Sequence, residues 1–257
     1  MPRDGRSTTP TTDRRAPSRR KAPTTTLVLL VRHGATASTG KVLPGRAPGL
    51  HLSDDGRRQA DEVAARIVAR MTPPVPPPGT HGAAGNGAGP SRRRRAKPPT
   101  VAAVYSSPLE RTRETAAPIA AAFGLDVLVD EGLLELDMGE WTGLELKAAR
   151  KRKEWGTIQR YPSGFAFPGG ESFLAMQARI VSTLERLHAA HPGQTVVAVS
   201  HADPIRAAVN HAMGAHLDLF QRVVVSPCSV TALALGDEGP LVLSVNETAV
   251  PGSLVPS

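Results

Sequence analysis

Three short apolar runs constrain this chain most: Leu27–Val31, Val101–Tyr105 and Thr195–Ser200. Each is only strand-length, each stops at a polar or charged residue, and a segment with helical spacing follows each. Continuously apolar strands of this kind are buried on both faces, which requires helices above and below a mostly parallel sheet. The expected fold is therefore α/β: a three-layer αβα arrangement around a doubly wound sheet. Helices are expected from Ser53 to before Pro73, from a Ser106-Ser107-Pro108 cap to about Phe123, over about Leu144–Trp155, from Ser172 to His188, and from an Asp203-Pro204 cap to about Met213. Val127–Val129 reads as a further short strand, and Val223–Val225, Val230–Leu235 and Leu241–Val245 as edge strands.

Charge divides the 257 residues unevenly. Residues 1–26 carry seven Lys/Arg against two Asp, and residues 72–99 carry Arg92 to Arg95 and Lys97 with no acid, so each segment is +5. The whole chain is +8, which leaves about −2 for the rest, and the high isoelectric point says little about the folded body. Both basic segments are rich in Pro, Gly or Thr and have almost nothing apolar to bury. The expectation is a disordered tail at 1–26, one catalytic domain over 27–247 interrupted by a disordered insert at 72–99, and a flexible tail at 248–257. Nucleic acid would be met only through the tail or insert, since no aromatic residues are interleaved with their arginines for base stacking.

No segment is long and apolar enough for a membrane span or a secretory leader, so no membrane partner is expected. A single cysteine, Cys228, cannot form an intrachain disulfide and fits a reducing cytoplasm. Monomer and homodimer are both compatible with the sequence.

The chemistry-bearing residues recur at one structural address, the C-terminal end of a strand. Arg32-His33-Gly34 ends the first run, Arg111 stands in the first turn after the second, Glu135 follows the short third strand, and His201 ends the Thr195–Ser200 run. Ligands bind at that edge in open α/β sheets. Arginine offers fixed, permanently charged donors to phosphoryl oxygens. A neutral imidazole attacks phosphorus and holds it as a phosphoramidate, and a carboxylic acid protonates the leaving oxygen.

Gly34 to Lys41 is not a nucleotide-binding phosphate loop, because its spacing is one residue too long and Val42 replaces the metal-binding hydroxyl. A Gly-x-Ser-x-Gly elbow is absent, and so is a Cys-x5-Arg loop, since Ala234 stands where its arginine would be. Neither is there His/Asp spacing for a metal, so a metal-independent reaction with no cofactor is expected.

Arg32-His33-Gly34, Ser106-Ser107-Pro108-Leu109-Glu110-Arg111-Thr112, Glu135 before Gly139-Glu140-Trp141-Thr142-Gly143, Gly169-Gly170-Glu171-Ser172 and Ser200-His201-Ala202 resemble, in order, the signature blocks of the histidine phosphatase superfamily, the phosphoglycerate mutase-like proteins. The resemblance implies that His33 is the phospho-accepting nucleophile, Arg32, Arg111 and His201 the other members of the phosphate pocket, and Glu135 the general acid/base. Substrate contacts are implied for Arg32, Gly34, Thr39, Arg46, Arg111, Glu171, His201 and Ala202. Three departures stand out. Thr39 occupies a position where many members have asparagine, and Ala202 one where they have glycine. Glu135-Leu136-Asp137-Met138 replaces the Glu-Arg-Tyr-Tyr-type segment of dedicated mutases. The shorter acid loop looks more like the phosphatase branch, so the resemblance implies hydrolysis of a small phosphorylated metabolite. Mutase-type transfer is the second reading, and an inactive phosphoester- or polyanion-binding scaffold the third.

Overall fold

The computed structural model describes residues 25–71 and 100–249. Residues 72–99, and the tails apart from 25–26 and 248–249, lie outside the described residues. The strands are β1 (Thr26–Arg32), β2 (Val101–Ser106), β3 (Val127–Val129), β4 (Thr195–Ser200), β5 (Val230–Gly236) and β6 (Gly239–Glu247). They form a single sheet in the order β3-β2-β4-β1-β5-β6. The first four are parallel, β5 pairs antiparallel with β1, and β6 pairs antiparallel with β5.

Alternate residues of the central strands feed two cores. Leu29, Val31, Val197 and Val199 face helices α1 (Asp54–Met71) and α2 (Glu110–Phe123). On the other side of the sheet, Val28, Leu30, Val196 and Ala198 pack in one cluster with α5 (Phe173–Ala190) and α6 (Ala202–Ala212). The architecture is the three-layer, mostly parallel α/β fold that the apolar runs imply. In α1 the residues at helical spacing, Ala60, Val63, Ala64 and Ile67, are the buried ones, and Ser53 Oγ accepts the Gly56 N–H as a cap. Strand β1 starts at Thr26, one residue before the apolar run. The Thr26 hydroxyl is fully buried and donates to the His191 carbonyl at 2.7 Å, so a polar residue is accommodated there.

Several local expectations are corrected. Between Leu144 and Trp155 there is no continuous helix: α3 covers only Leu146–Ala149, and Trp155 opens α4 (Trp155–Arg160) instead of ending a helix. Arg150, Lys151, Arg152 and Lys153 lie in the break, where four consecutive cations disfavour a continued helix, and the Arg152 guanidinium stacks 4.7 Å over the Trp141 ring. Val223–Val225 joins no strand, and the Val225 carbonyl accepts a hydrogen bond from Arg32 at 2.6 Å. β5 is an interior strand between β1 and β6, and β6 alone forms that edge.

Candidate active site

β1 hands its charged end to a loop pressed against α1. A Cβ on Gly34 would lie 2.5 Å from the Gly56 carbonyl oxygen, and one on Gly56 would lie 2.0 Å from that of Ala35. Both glycines are thus required by close backbone approach. Gly34 enters the site differently from the sequence reading: its N–H donates to Thr115 Oγ1 at 3.1 Å and is not turned toward a ligand.

The same contact region fixes His33. Its Nδ1 lies 2.8 Å from the Gly34 carbonyl oxygen, which can only accept, so Nδ1 carries the proton and Nε2 the lone pair. Burial, and then the fields of Arg32 and Arg111, hold the His33 pKa well below its ordinary value. The lowered pKa favours the neutral imidazole, whose lone pair is then on Nε2. His201 stands edge-on to it, ring centroids 5.1 Å apart. Its pKa is likewise lowered, by burial first and then by Arg111, His33 and Arg32.

Arg111 has no exposed surface, and one NH2 donates to the Gly45 carbonyl at 2.8 Å. Buried nitrogens on the three residues around His33, namely Arg32 Nε, Arg111 Nε and Nη1, and His201 Nδ1, have no hydrogen-bond partner among the described residues. Unpaired buried donors on two guanidiniums are costly unless an anion meets them, and a tetrahedral oxyanion suits several at once.

Glu135 lies opposite. It is 7 % exposed, Oε1 accepts the Leu136 N–H at 2.9 Å, and Oε2 lies 4.0 Å from His201 Nδ1. Burial, aided by the Asp203 charge and opposed by Arg111 and Arg32, raises its pKa to about 7. Near neutrality the group both gives and takes a proton.

A cleft of about 370 Å³ opens onto these groups. Arg32, His33, Glu135, Thr39 and Ala202 line it, together with Asp203, Arg206, Arg150, Trp155 and Phe167, while Arg111 and His201 are buried and not among the lining residues. Thr39 is exposed at the rim, and its hydroxyl accepts the Thr36 N–H at 2.9 Å.

Arg46 and Glu171 do not line that cleft. Arg46 donates through Nε to the Glu135 carbonyl at 2.8 Å and through NH2 to Glu171 at 3.0 Å. Arg179, which the sequence reading missed, grips the same carboxylate with Nε at 3.0 Å and NH2 at 2.9 Å. It also donates to the carbonyls of Gly132, Leu134 and Glu135 at 2.9, 2.8 and 3.4 Å. The pair therefore clamps the backbone that carries the acid. Helical spacing offers a signal for this residue, since Arg179 lies two turns beyond Glu171.

Two cap assignments are also corrected. The cap residue of α2 is Leu109 and that of α6 is His201, neither with a side-chain cap. Ser107 Oγ lies 3.0 Å from His201 Nε2, and Asp203 sits inside the first turn of α6, bonded to Arg206 at 3.0 Å.

A mostly parallel sheet that gathers two arginines, two histidines and a buried carboxyl group near the C-terminal ends of its parallel strands defines an α/β protein with a cationic, imidazole-lined site suited to an anion. The chain belongs to the histidine phosphatase superfamily (branch 1), whose sequence profile matches residues 28–74 and 91–248. A bifunctional protein of Mycobacterium tuberculosis is 33 % identical over 229 residues, covering 88 % of this chain and 55 % of the relative. The chain thus spans about half the length of that relative. Phosphoserine phosphatase 1 of Hydrogenobacter thermophilus is 31 % identical over 56 % of this chain and 70 % of its own length. Among solved structures, a phosphoserine phosphatase mutant from Entamoeba histolytica superposes with a TM-score of 0.69 at 22 % identity, over 87 % of this chain and 98 % of that one. A mycobacterial glucosyl-3-phosphoglycerate phosphatase gives 0.67 at 22 %, over 87 % and 100 %. These two likenesses concern the fold. Among the described residues no helix is long and apolar enough to cross a membrane.

Proposed function

We propose that this chain hydrolyses phosphomonoesters of small metabolites through a phosphohistidine on His33, without a metal. The observation that carries this reading is the neutral His33 ring, with Nδ1 tied to Gly34 and Nε2 free, set among unpaired guanidinium donors of Arg32 and Arg111. In the first step Nε2 attacks phosphorus, the ester P–O bond breaks, and the Glu135 carboxyl proton goes to the departing alkoxide. The two guanidiniums hold the equatorial oxygens and balance the charge that a metal balances elsewhere. In the second step Glu135 takes a proton from water, the water oxygen attacks phosphorus, the N–P bond breaks, and phosphate leaves. A Glu135 pKa of about 7 suits both halves.

The relatives named as phosphatases favour water as final acceptor, as does the Glu135-Leu136-Asp137-Met138 acid loop. The test is brief reaction with a radiolabelled phosphomonoester. An acid-labile, base-stable phosphoryl group should appear on His33 and vanish in His33→Ala. A chase should pass the label to water and not to a phosphoglycerate. Label surviving in His33→Ala, or mapping to a serine or to Asp137, contradicts the mechanism.

A further inference from the structure

His201 Nε2 and Ser107 Oγ lie 3.0 Å apart, and both residues are fully buried. Which atom donates is decided by what else the hydroxyl does. Ser107 Oγ already accepts the Leu109 N–H at 3.4 Å, and the acceptor in reach of its own proton is His201 Nε2. If the ring donated instead, the buried hydroxyl proton would be left without a partner. The residue has no freedom to look elsewhere. Its N–H donates to the Val199 carbonyl at 3.0 Å, and its carbonyl accepts from Ser106 Oγ at 2.8 Å and Thr112 Oγ1 at 2.9 Å.

We propose that Ser107 is a positioning residue that donates to His201 Nε2 and so locks His201 as the neutral Nδ1–H tautomer, making Nδ1–H a phosphoryl-oxygen donor. The opposite tautomer would present a lone pair to the oxygens of the anion. His201 Nδ1 is buried and has no hydrogen-bond partner among the described residues, with Glu135 Oε2 at 4.0 Å, as a donor reserved for a ligand would be. The lowered pKa of His201 accords with a neutral ring. Serine here thus does for His201 what the Gly34 carbonyl does for His33, with opposite sense: one ring keeps Nε2 bare to attack, the other keeps Nδ1 protonated to hold.

The inference rests on the phosphatase reading for the role of the donor, but the tautomer is measurable without turnover. Ring-nitrogen NMR of uniformly ¹⁵N-labelled protein, with signals assigned through couplings to the ring protons, should show His201 protonated on Nδ1 and bare on Nε2. Ser107→Ala should abolish that preference and slow phosphorylation of His33 about 10- to 100-fold in rapid-quench experiments, while Ser107→Thr restores both. If Ser107→Ala does not fold, Ser107→Cys, a weaker donor, takes its place, and the wild-type spectrum remains decisive. A wild-type ring protonated on Nε2, or an alanine variant with unchanged ring pattern and rate, overturns the proposal. The expected ring pattern together with an unphosphorylated His33 would instead retire the phosphatase reading and leave the tautomer assignment standing.

Discussion

Replacing Glu135 by glutamine should make the protein more stable, and increasingly so as pH rises. The Glu135 carboxyl is buried with its pKa raised from 4.5 to about 7, chiefly by desolvation and then by Asp203. A raised pKa means the folded state holds the proton more tightly than the unfolded chain, so the associated stability is fully present below about pH 4.5 and is lost as pH climbs through 7. At about 1.4 kcal/mol per unit, the loss is about 3 kcal/mol. Glutamine keeps the oxygen that accepts the Leu136 N–H but carries no charge to bury. Denaturant unfolding of both proteins from pH 4 to 8.5, in buffer free of phosphate, should therefore show a stability difference that grows by about 3 kcal/mol, or about 6–12 °C in Tm. His33 and His201 also make stability pH-dependent, with the opposite sense at low pH, but they are common to both proteins and drop out of the difference. Asp203→Asn should shrink the growth, because it removes the second cause of the shift. A difference that stays flat across the range refutes the claim that Glu135 is desolvated.

The same Glu135→Gln variant should lose far more activity on an alkyl phosphate than on nitrophenyl phosphate, whose leaving group departs with little protonation; equal losses would make Glu135 a structural residue. Arg179→Met should cost about 2 kcal/mol, or about 4–8 °C in Tm, because it removes the donor to the Gly132 and Leu134 carbonyls and one of the two guanidiniums on Glu171, while Arg46 still holds that carboxylate and the Glu135 carbonyl. It should also lower kcat on alkyl phosphates more than it raises KM, since the acid's backbone is what it holds. Unchanged Tm and kcat would show that Arg46 alone secures the acid loop.

What the sequence made legible follows the range of the forces involved. Strand burial is written in local composition, so Thr195–Ser200 could be read as an interior strand without knowing its neighbours, and the ends of such strands give the address of Arg32, His33 and His201. Those residues are adjacent in sequence to the elements that place them. Several of the misreadings involve a polar group whose partner is distant in the chain. Ser107 looked like a helix cap because serine before a helix ordinarily caps it, yet its hydroxyl is taken by His201, 94 residues away. Val223–Val225 looked like a strand by composition, and its carbonyl is taken by Arg32, 193 residues away. Glu171 stood in the sequence as an implied substrate contact just before the Ser172 that opens a helix. In the fold it joins Arg46 and Arg179 behind the acid loop, while Ser172 does cap α5 by accepting the Ala175 N–H at 3.0 Å. Apolar periodicity is additive and survives without the fold, whereas a hydrogen bond has one partner and is decided only when the fold delivers it. The parts of the site that resist sequence reading are therefore the ones that orient the reacting groups: Ser107 behind His201, Thr115 beneath Gly34 and Arg179 behind Glu135.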